Sequence, residues 1–158
     1  MVSARVGSAI AAELGSMEVS QQIEAMRALG TDPVRKLVAP RLFALLVSLP
    51  LLTVVADVVG IAGGWAVATN LYNQPSNVFM NAVRQGITTA DIVGGVLKPL
   101  VFALIIGAIA CRQGLATGGG TVGVGNSTTR AVVISAITVI IADFFLAKFL
   151  QVTLGVGL

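Results

Sequence analysis

The stretch "LFALLVSLPLLTVVADVVGIAGGWAVAT", residues 42–69, decides the fold because Asp57 is its only charged residue. As an α-helix rising about 1.5 Å per residue, it would be about 42 Å long. That length exceeds the hydrocarbon core of a bilayer, which is about 30 Å thick. The stretch therefore predicts a tilted membrane-spanning helix, and Pro50 marks the position where a kink is expected.

Two further apolar stretches, roughly residues 92–111 and 131–150, have the same character. The chain is 56% hydrophobic and 11% charged, with a mean hydropathy of +0.94, whereas soluble domains carry about 25% charged residues. These features predict an all-α transmembrane bundle of about three full spanning helices, plus an N-terminal partial helix and a cytoplasmic helix. Over the single domain 1–158, the expected segments are 1–14 (end of a membrane helix), 16–30 (cytoplasmic helix), 34–69 (membrane helix), 70–90 (periplasmic loop with a short helix), 91–112 (membrane helix), 113–128 (cytoplasmic glycine-rich loop) and 129–155 (membrane helix).

Basic residues predict the orientation of the bundle. Arg84 is the single basic residue of segment 70–90. Basic residues are more frequent before the first span and around the glycine-rich loop: Arg27, Arg35, Lys36, Arg41, Arg112 and Arg130. Since basic loops stay on the cytoplasmic side, residues 15–40 and 112–130 are expected in the cytoplasm.

Several function classes find no support in the residues. The chain has no histidine, a single cysteine (Cys111), and basic residues too scattered for a nucleic-acid patch. No nucleophile–base pair or metal cluster is apparent. The first residues, "VSARVGSAIAAELGS", lack the charged start and distinct apolar core of a signal peptide. They are typical of a helix already under way, so we expect that part of a longer protein precedes them.

The segment "GSMEVSQQIEAMRALGTDPVRKLVAPR", residues 15–41, predicts a short amphipathic helix between two turns. Val19, Ile23 and Met26 recur at helical spacing. Ser16 is a candidate N-cap, Gly30 a candidate C-terminal stop, and Asp32 with Pro33 opens the next helix. The polar residues of the segment are Glu18, Gln22, Glu24, Arg27 and Asp32. Such a helix either lies among lipid headgroups or binds a soluble partner, and its two glutamates favour the partner.

The run "GLATGGGTVGVGNSTTR", residues 114–130, resembles a nucleotide-binding glycine motif at first sight. Such motifs follow a buried strand, whereas this run follows an apolar stretch of membrane length. The position of the phosphate-binding lysine is occupied by Asn126. The run is therefore interpreted as a flexible cytoplasmic connection, with Ser127 or Thr128 capping the last helix.

Charged residues within the apolar stretches require partners, because an unpaired charge there costs about 2.5–3.5 kcal/mol. We expect Asp57 or Asp143 to pair with Lys98 or Lys148. These groups are interpreted either as helix-to-helix pairs or as a polar lining for lipid headgroups. At the cytoplasmic end, Glu13 is expected to lie against Arg130.

Three blocks together resemble the MlaE/YrbE-type permease family: "AAELGSMEVSQQIEAMRALGTDPVRKLVAPR", "LPLLTVVADVVGIAGG" and "GVGNSTTRAVV…ADFF". The resemblance covers nearly the whole chain, apart from the family's N-terminal portion. It implies a homodimeric permease of a bacterial inner-membrane ABC transporter that moves phospholipids between the inner and outer membranes and maintains lipid asymmetry. It also implies a coupling helix at about Glu18–Leu29 that binds a cytoplasmic ATPase subunit. The further partners would be a periplasmic MCE-domain lipid-binding subunit and a small accessory subunit.

The resemblance leaves this chain without a cofactor, since ATP and Mg²⁺ would be bound by the ATPase. A lipid carrier needs an apolar cavity, expected between two permease copies and lined by Leu49, Leu52 and Val55. Ordinary helix packing accounts for the same residues. The alternative function is a non-transporting membrane scaffold that recruits a soluble partner.

Overall fold

The fold is a helical bundle, seen in a computed structural model that describes residues 1–154, except for the side chains of Val2, Thr89, Ala90 and Leu154. All the regular elements in this part of the chain are helices, which confirms the predicted fold class. They are α1 (Val2–Val19), α2 (Gln22–Ala28), a π-helical turn (Val34–Val38), α3 (Ala39–Asn70), α4 (Ser76–Gly86), α5 (Thr89–Leu115) and α6 (Gly120–Leu154).

Three segments are long and apolar enough to cross a membrane: Val34–Asn70, Asp91–Leu115 and Gly120–Thr153. These segments contain the three apolar stretches that the sequence predicts as membrane spans. Pro50 lies inside α3, which continues as one helix on both sides of it. Residue 155, the predicted end of the last span, lies outside the described residues.

Helix α5 occupies the centre of the bundle, where it packs against α1, α3 and α6. Helix α1 also packs along α6, and the hydroxyl groups of Ser3 and Ser135 share a hydrogen bond of 2.9 Å between the two helices. The buried core lies where α1, α3 and α5 meet and consists of Ile10, Leu14, Leu45, Leu49, Ala103, Ile106, Ala110 and Cys111. The connections define two ends of the bundle. The α2 end contains the start of α3 and the loop between α5 and α6, and the α4 end is the opposite one.

Two glycines of α5 bring neighbouring helices into close contact. A Cβ atom at Gly114 would lie 2.6 Å from the Cβ of Leu14 and 3.2 Å from the carbonyl oxygen of Ala11. A Cβ atom at Gly107 would lie 2.5 Å from Leu42. Small residues at such positions let helix backbones approach each other in membrane bundles. Glycine at these two positions therefore sets the distance of α5 from α1 and α3.

The predicted cytoplasmic helix 16–30 is not one helix, and this prediction was wrong in its bounds. Helix α1 continues to Val19, because the buried Leu14 and Gly15 hold its last turns against α5 and the loop that follows it. Ser16 is no N-cap, since its hydroxyl donates to the carbonyl of Glu13 within α1. Gln21, with φ of 59°, separates α1 from α2.

The predicted turns on either side of Asp32 are present. Gly30 has φ of 75°, and the N–H groups of Gly30 and Thr31 donate to the carbonyls of Arg27 and Met26. This is the Schellman arrangement that ends a helix. The Asp32 carboxylate then accepts a 2.9 Å hydrogen bond from the Val34 N–H and caps the π-helical turn.

The glycine-rich segment is mostly helical, so the prediction of a flexible loop over 113–128 was wrong. Only residues 116–119 separate α5 from α6. Gly119 and Gly120 carry the chain reversal with φ of 81° and 69°, and a side chain at Gly123 would collide with the carbonyl of Gly118. The glycines thus form a tight turn packed against the first turn of α6. Thr128 is inside α6 and donates back to the carbonyl of Gly125, so it caps nothing.

The segment 70–90 contains the expected short helix, α4. The ring of Phe79 packs against α3, 3.5 Å from the position that a Cβ atom of Gly64 would take. Asn77, Asn81, Arg84 and Gln85 are exposed on this helix. Helix α4 is therefore amphipathic and is attached to the end of α3 by an aromatic side chain.

Replacing Gly114 by alanine should destabilise the bundle by about 1–3 kcal/mol, because the new methyl group meets the backbone of α1 and forces the helices apart. Gly63→Ala is the matched control, since a Cβ atom there meets nothing within 4 Å. The control should be neutral or mildly stabilising, as alanine favours helix more than glycine. Dodecyl sulfate unfolding followed by circular dichroism compares the two variants, and equal midpoints would refute the close-packing argument.

Candidate functional site

A cavity with a volume of about 680 Å³ opens between α3, α5 and α6 toward the α4 end. Drug-sized ligands occupy cavities of roughly 300–1,000 Å³. Most of its walls are apolar, and polar groups are present on every side. The lining residues are Leu49, Thr53, Asp91, Gly94, Gly95, Lys98, Pro99, Phe102, Ala147, Leu150 and Gln151.

Lys98 brings a positive charge into this cavity and is held by an ion pair. Its ammonium lies 3.0 Å from the Asp143 carboxylate, which joins α5 to α6. The lysine side chain is 31% exposed and that of Asp143 is 51% exposed. One of the predicted pairings is thereby confirmed. The pair neutralises two charges that would each be costly alone in an apolar layer.

Asp57 lies in a neighbouring cavity of about 510 Å³ between α3 and α5, together with Gly60 and Asp91. The two cavities share Asp91 and Gly95 in their walls, so they flank the first turns of α5. Asp91 itself is engaged, because its carboxylate accepts hydrogen bonds from the hydroxyl and N–H of Thr88 in a capping box. Asp57 is thus an acidic residue in the wall of the second cavity, next to the capped start of α5.

Of the three residues predicted to line a lipid cavity, the structure places one in a cavity wall and two elsewhere. Leu49 is buried and lines the cavity that contains Lys98. Leu52 and Val55 are on the exposed side of α3 and line neither of the two cavities. Thr53, one helical turn beyond Leu49, lines the cavity instead. The helical spacing from Leu49 would have pointed to Thr53, whereas Phe102 and Gln151 carried no signal in the sequence.

At the α2 end, Glu13 pairs with Arg41 at 2.7 Å and not with Arg130 as predicted. The Ser3–Ser135 contact sets the register of antiparallel α1 and α6. Glu13 lies about 15 Å further along α1, at the level of Gly125 in α6, so Arg130 is about 7.5 Å too far along the helix. Arg41 also donates to the carbonyl of Leu37, which fixes its guanidinium at the start of α3.

The predicted docking residues form an exposed surface on α2. Ile23 is fully buried and anchors α2 to the bundle, while Gln22, Glu24 and Arg27 are exposed. Leu29, at 82% exposure, is an unexpected apolar member of this surface.

Two of the predicted docking residues have different surroundings. Glu18 belongs to α1 and is half-buried, with one carboxylate oxygen buried and without a hydrogen-bond partner among the described residues. Asp32 is exposed, but its carboxylate caps the π-helical turn. The α2 surface therefore consists of Gln22, Glu24, Arg27 and Leu29.

Comparison with known proteins identifies the family to which this sequence is similar. The sequence model of the family described as Permease MlaE matches residues 1–149. A probable ABC transporter permease of Synechocystis is 44% identical over 93% of this chain and 56% of its own length. The chloroplast protein trigalactosyldiacylglycerol 1 of Arabidopsis thaliana is 42% identical over 94% of this chain and 43% of its own length. A probable ABC transporter permease of Rickettsia typhi is 37% identical over 95% of this chain and 58% of its own length.

The chain thus spans about half the length of the curated relatives it matches. Its apolar helices agree with a multi-pass membrane protein. In ABC transporters of this kind, ATP hydrolysis belongs to a subunit separate from the permease. By the family match over nearly its whole length, the chain belongs to the MlaE family of ABC transporter permeases.

Proposed function

We propose that the chain is the membrane-embedded part of an ATP-driven transporter for phospholipids. The observation that carries the proposal is the cavity of about 680 Å³, whose mostly apolar walls include Lys98, the ion-pair partner of Asp143. A phospholipid combines apolar acyl chains with a charged phosphate. A cavity with apolar walls and one ammonium group matches both parts of such a molecule.

The ion pair suggests how the headgroup is held and released. The Lys98 ammonium has three N–H donors, and a compact charge of this kind binds phosphate well. A phosphate that enters the cavity competes with Asp143 for the lysine, so the aspartate sets the strength of binding. A site whose lysine is already neutralised binds phosphate reversibly, as a transporter requires.

A relative supports the lipid class of the substrate. The Arabidopsis protein is named after trigalactosyldiacylglycerol, a glycerolipid with two acyl chains. Its 42% identity extends over 94% of this chain. A lipid with two acyl chains is also the substrate class that we propose here, with a phosphate in its headgroup.

The partners follow from the surfaces and from the family. We infer that a cytoplasmic ATPase subunit, which binds ATP and Mg²⁺, docks on the α2 surface of Gln22, Glu24, Arg27 and Leu29. The apolar outer faces of α3 and α6 are available for lipid and for a second copy in a homodimer. An MCE-domain lipid-binding subunit would meet the α4 end, and a small accessory subunit would bind the ATPase. In a bacterium with two membranes, the complex would lie in the inner membrane and maintain the lipid asymmetry of the outer one.

Native mass spectrometry of the full-length complex, released gently from membranes, tests the proposal. Two permease copies with two ATPase copies and retained phospholipid would support it. A membrane chain that copurifies with a partner lacking ATPase activity would contradict it and favour the scaffold alternative.

Lys98→Met should reduce ATP-dependent transfer of phospholipid between vesicles at least tenfold, because it removes the ammonium and leaves Asp143 unpaired. The exchanged double variant, Lys98→Asp with Asp143→Lys, restores a neutral pair between α5 and α6 but places a carboxylate in the cavity, so it should recover the stability of the bundle and not the transfer activity. Transfer is measured with fluorescent phospholipid and the reconstituted complex.

Lys148→Met is the matched control for this series. Lys148 is an exposed lysine on α6 and lines neither cavity, so its loss should change transfer less than twofold. If Lys98→Met transported as well as Lys148→Met, the headgroup role of the cavity would be refuted.

Glu24→Lys should weaken copurification of the ATPase subunit by about tenfold, equivalent to about 1.4 kcal/mol. The substitution reverses a charge on the exposed side of α2 and leaves the buried anchor Ile23 in place. Gln85→Lys, on the exposed side of α4 at the opposite end, is the control and should retain the ATPase. Pull-down at two salt concentrations measures both variants, and an unchanged yield for Glu24→Lys would exclude this surface from docking.

A further inference from the structure

A third cavity, outside the proposed transport site, is a groove at the α2 end between the start of α3 and the end of α5. It has a volume of about 410 Å³ and is open along one side. One wall comes from the π-helical turn and the first turn of α3, and the other comes from the last turns of α5. Its apolar lining residues include Val34, Val38, Leu42, Ala108, Cys111 and Leu115.

The groove has a positive charge at its edge. Arg112 is the charged residue of its lining, and it is exposed. Arg112 forms no ion pair with any acidic side chain in the described part of the chain, in contrast to Arg41, which Glu13 neutralises. Arg35 and Lys36, exposed on the same π-helical turn as Val34, also form none with the described acidic groups. The groove thus has apolar walls and, at its edge, a guanidinium that no described acidic side chain neutralises. Two further basic side chains lie on the π-helical turn that forms one of its walls.

We propose that this groove binds an anionic phospholipid of the cytoplasmic leaflet, with an acyl chain along the apolar walls and the phosphate on Arg112. Three features support this occupant. A guanidinium binds phosphate oxygens in a bidentate manner. The lining contains no acidic residue that would repel the headgroup. Basic pockets between membrane helices on the cytoplasmic side are suited to acidic lipid headgroups.

The position of the groove distinguishes it from the transport cavity. The latter lies toward the α4 end and contains Lys98, whereas the groove borders the π-helical turn that follows α2 and Asp32. π-helical turns are rare and are frequently found at functional sites. A lipid in this groove is a resident one that supports the segment between the docking surface and α3, so the proposal does not depend on lipid transport.

Site-specific photo-crosslinking in the full-length complex tests the proposal. A benzophenone amino acid replaces Ala108, which lines the groove and is exposed, in membranes containing phosphatidylglycerol and phosphatidylethanolamine. The control position is Leu104, an exposed residue one turn earlier on α5 that does not line the groove. Lipid adducts are identified by mass spectrometry of the labelled peptide.

Adducts at position 108 should be enriched in phosphatidylglycerol about fivefold over the bulk composition, the factor expected from one basic side chain near an anionic headgroup. Adducts at position 104 should show the bulk composition. Arg112→Gln should abolish the enrichment, whereas Arg84→Gln, which removes an arginine from α4 at the opposite end, should preserve it.

Three outcomes would overturn the proposal. They are bulk lipid composition at position 108, enrichment that survives Arg112→Gln, and crosslinking of position 108 to polypeptide in place of lipid. The yield of adducts at position 104 shows in every variant that α5 is inserted in the membrane.

Discussion

The close approach of α5 to α1 and α3 is the contact on which the other features depend. Gly114 and Gly107 leave no room for a side chain, and the buried core forms around them. Helices in a bilayer gain little from burying apolar surface against each other, so close contact of small residues has to hold them together. These contacts involve the middle and the α2 end of α5, whereas the two cavities lie along its first turns.

The ion pairs also follow from the apolar surroundings of the helices, in which an unpaired charge is costly. Lys98 joins α5 to α6 through Asp143, and Glu13 joins α1 to α3 through Arg41. Each pair links residues that are far apart in the sequence, so it stabilises the arrangement of the bundle as well as the charges themselves. The Lys98–Asp143 pair differs in position, because its lysine also faces a cavity. That position makes it available to a ligand as well as to the fold.

The sequence predicted those features that follow from the thickness and polarity of a bilayer. The apolar spans follow from length and composition, and the cost of an isolated charge predicts a pair of Asp57 or Asp143 with Lys98 or Lys148, of which the structure forms Lys98–Asp143. The partner of Glu13 was not predictable, because it depends on the tertiary packing that brings α1 beside the start of α3, where Arg41 lies. The prediction of a flexible loop in the glycine-rich segment was wrong for a similar reason. Glycine permits both a flexible loop and a tight turn, and only the contact of Gly123 with the Gly118 carbonyl decides between them.

The segment from α2 to α3 connects the proposed docking surface with the proposed transport cavity. Ile23 anchors α2, the Schellman turn at Gly30 and the Asp32 cap fix the next reversal, and the π-helical turn continues into α3. Leu49 in α3 then forms part of the cavity wall, about 22 Å along the helix from Val34. Pro50 follows directly and lacks the N–H that would bond one turn back, so the helix is weakest beside the cavity. A force applied at α2 by an ATPase would therefore pass along a continuous helix and bend it where the cavity wall begins.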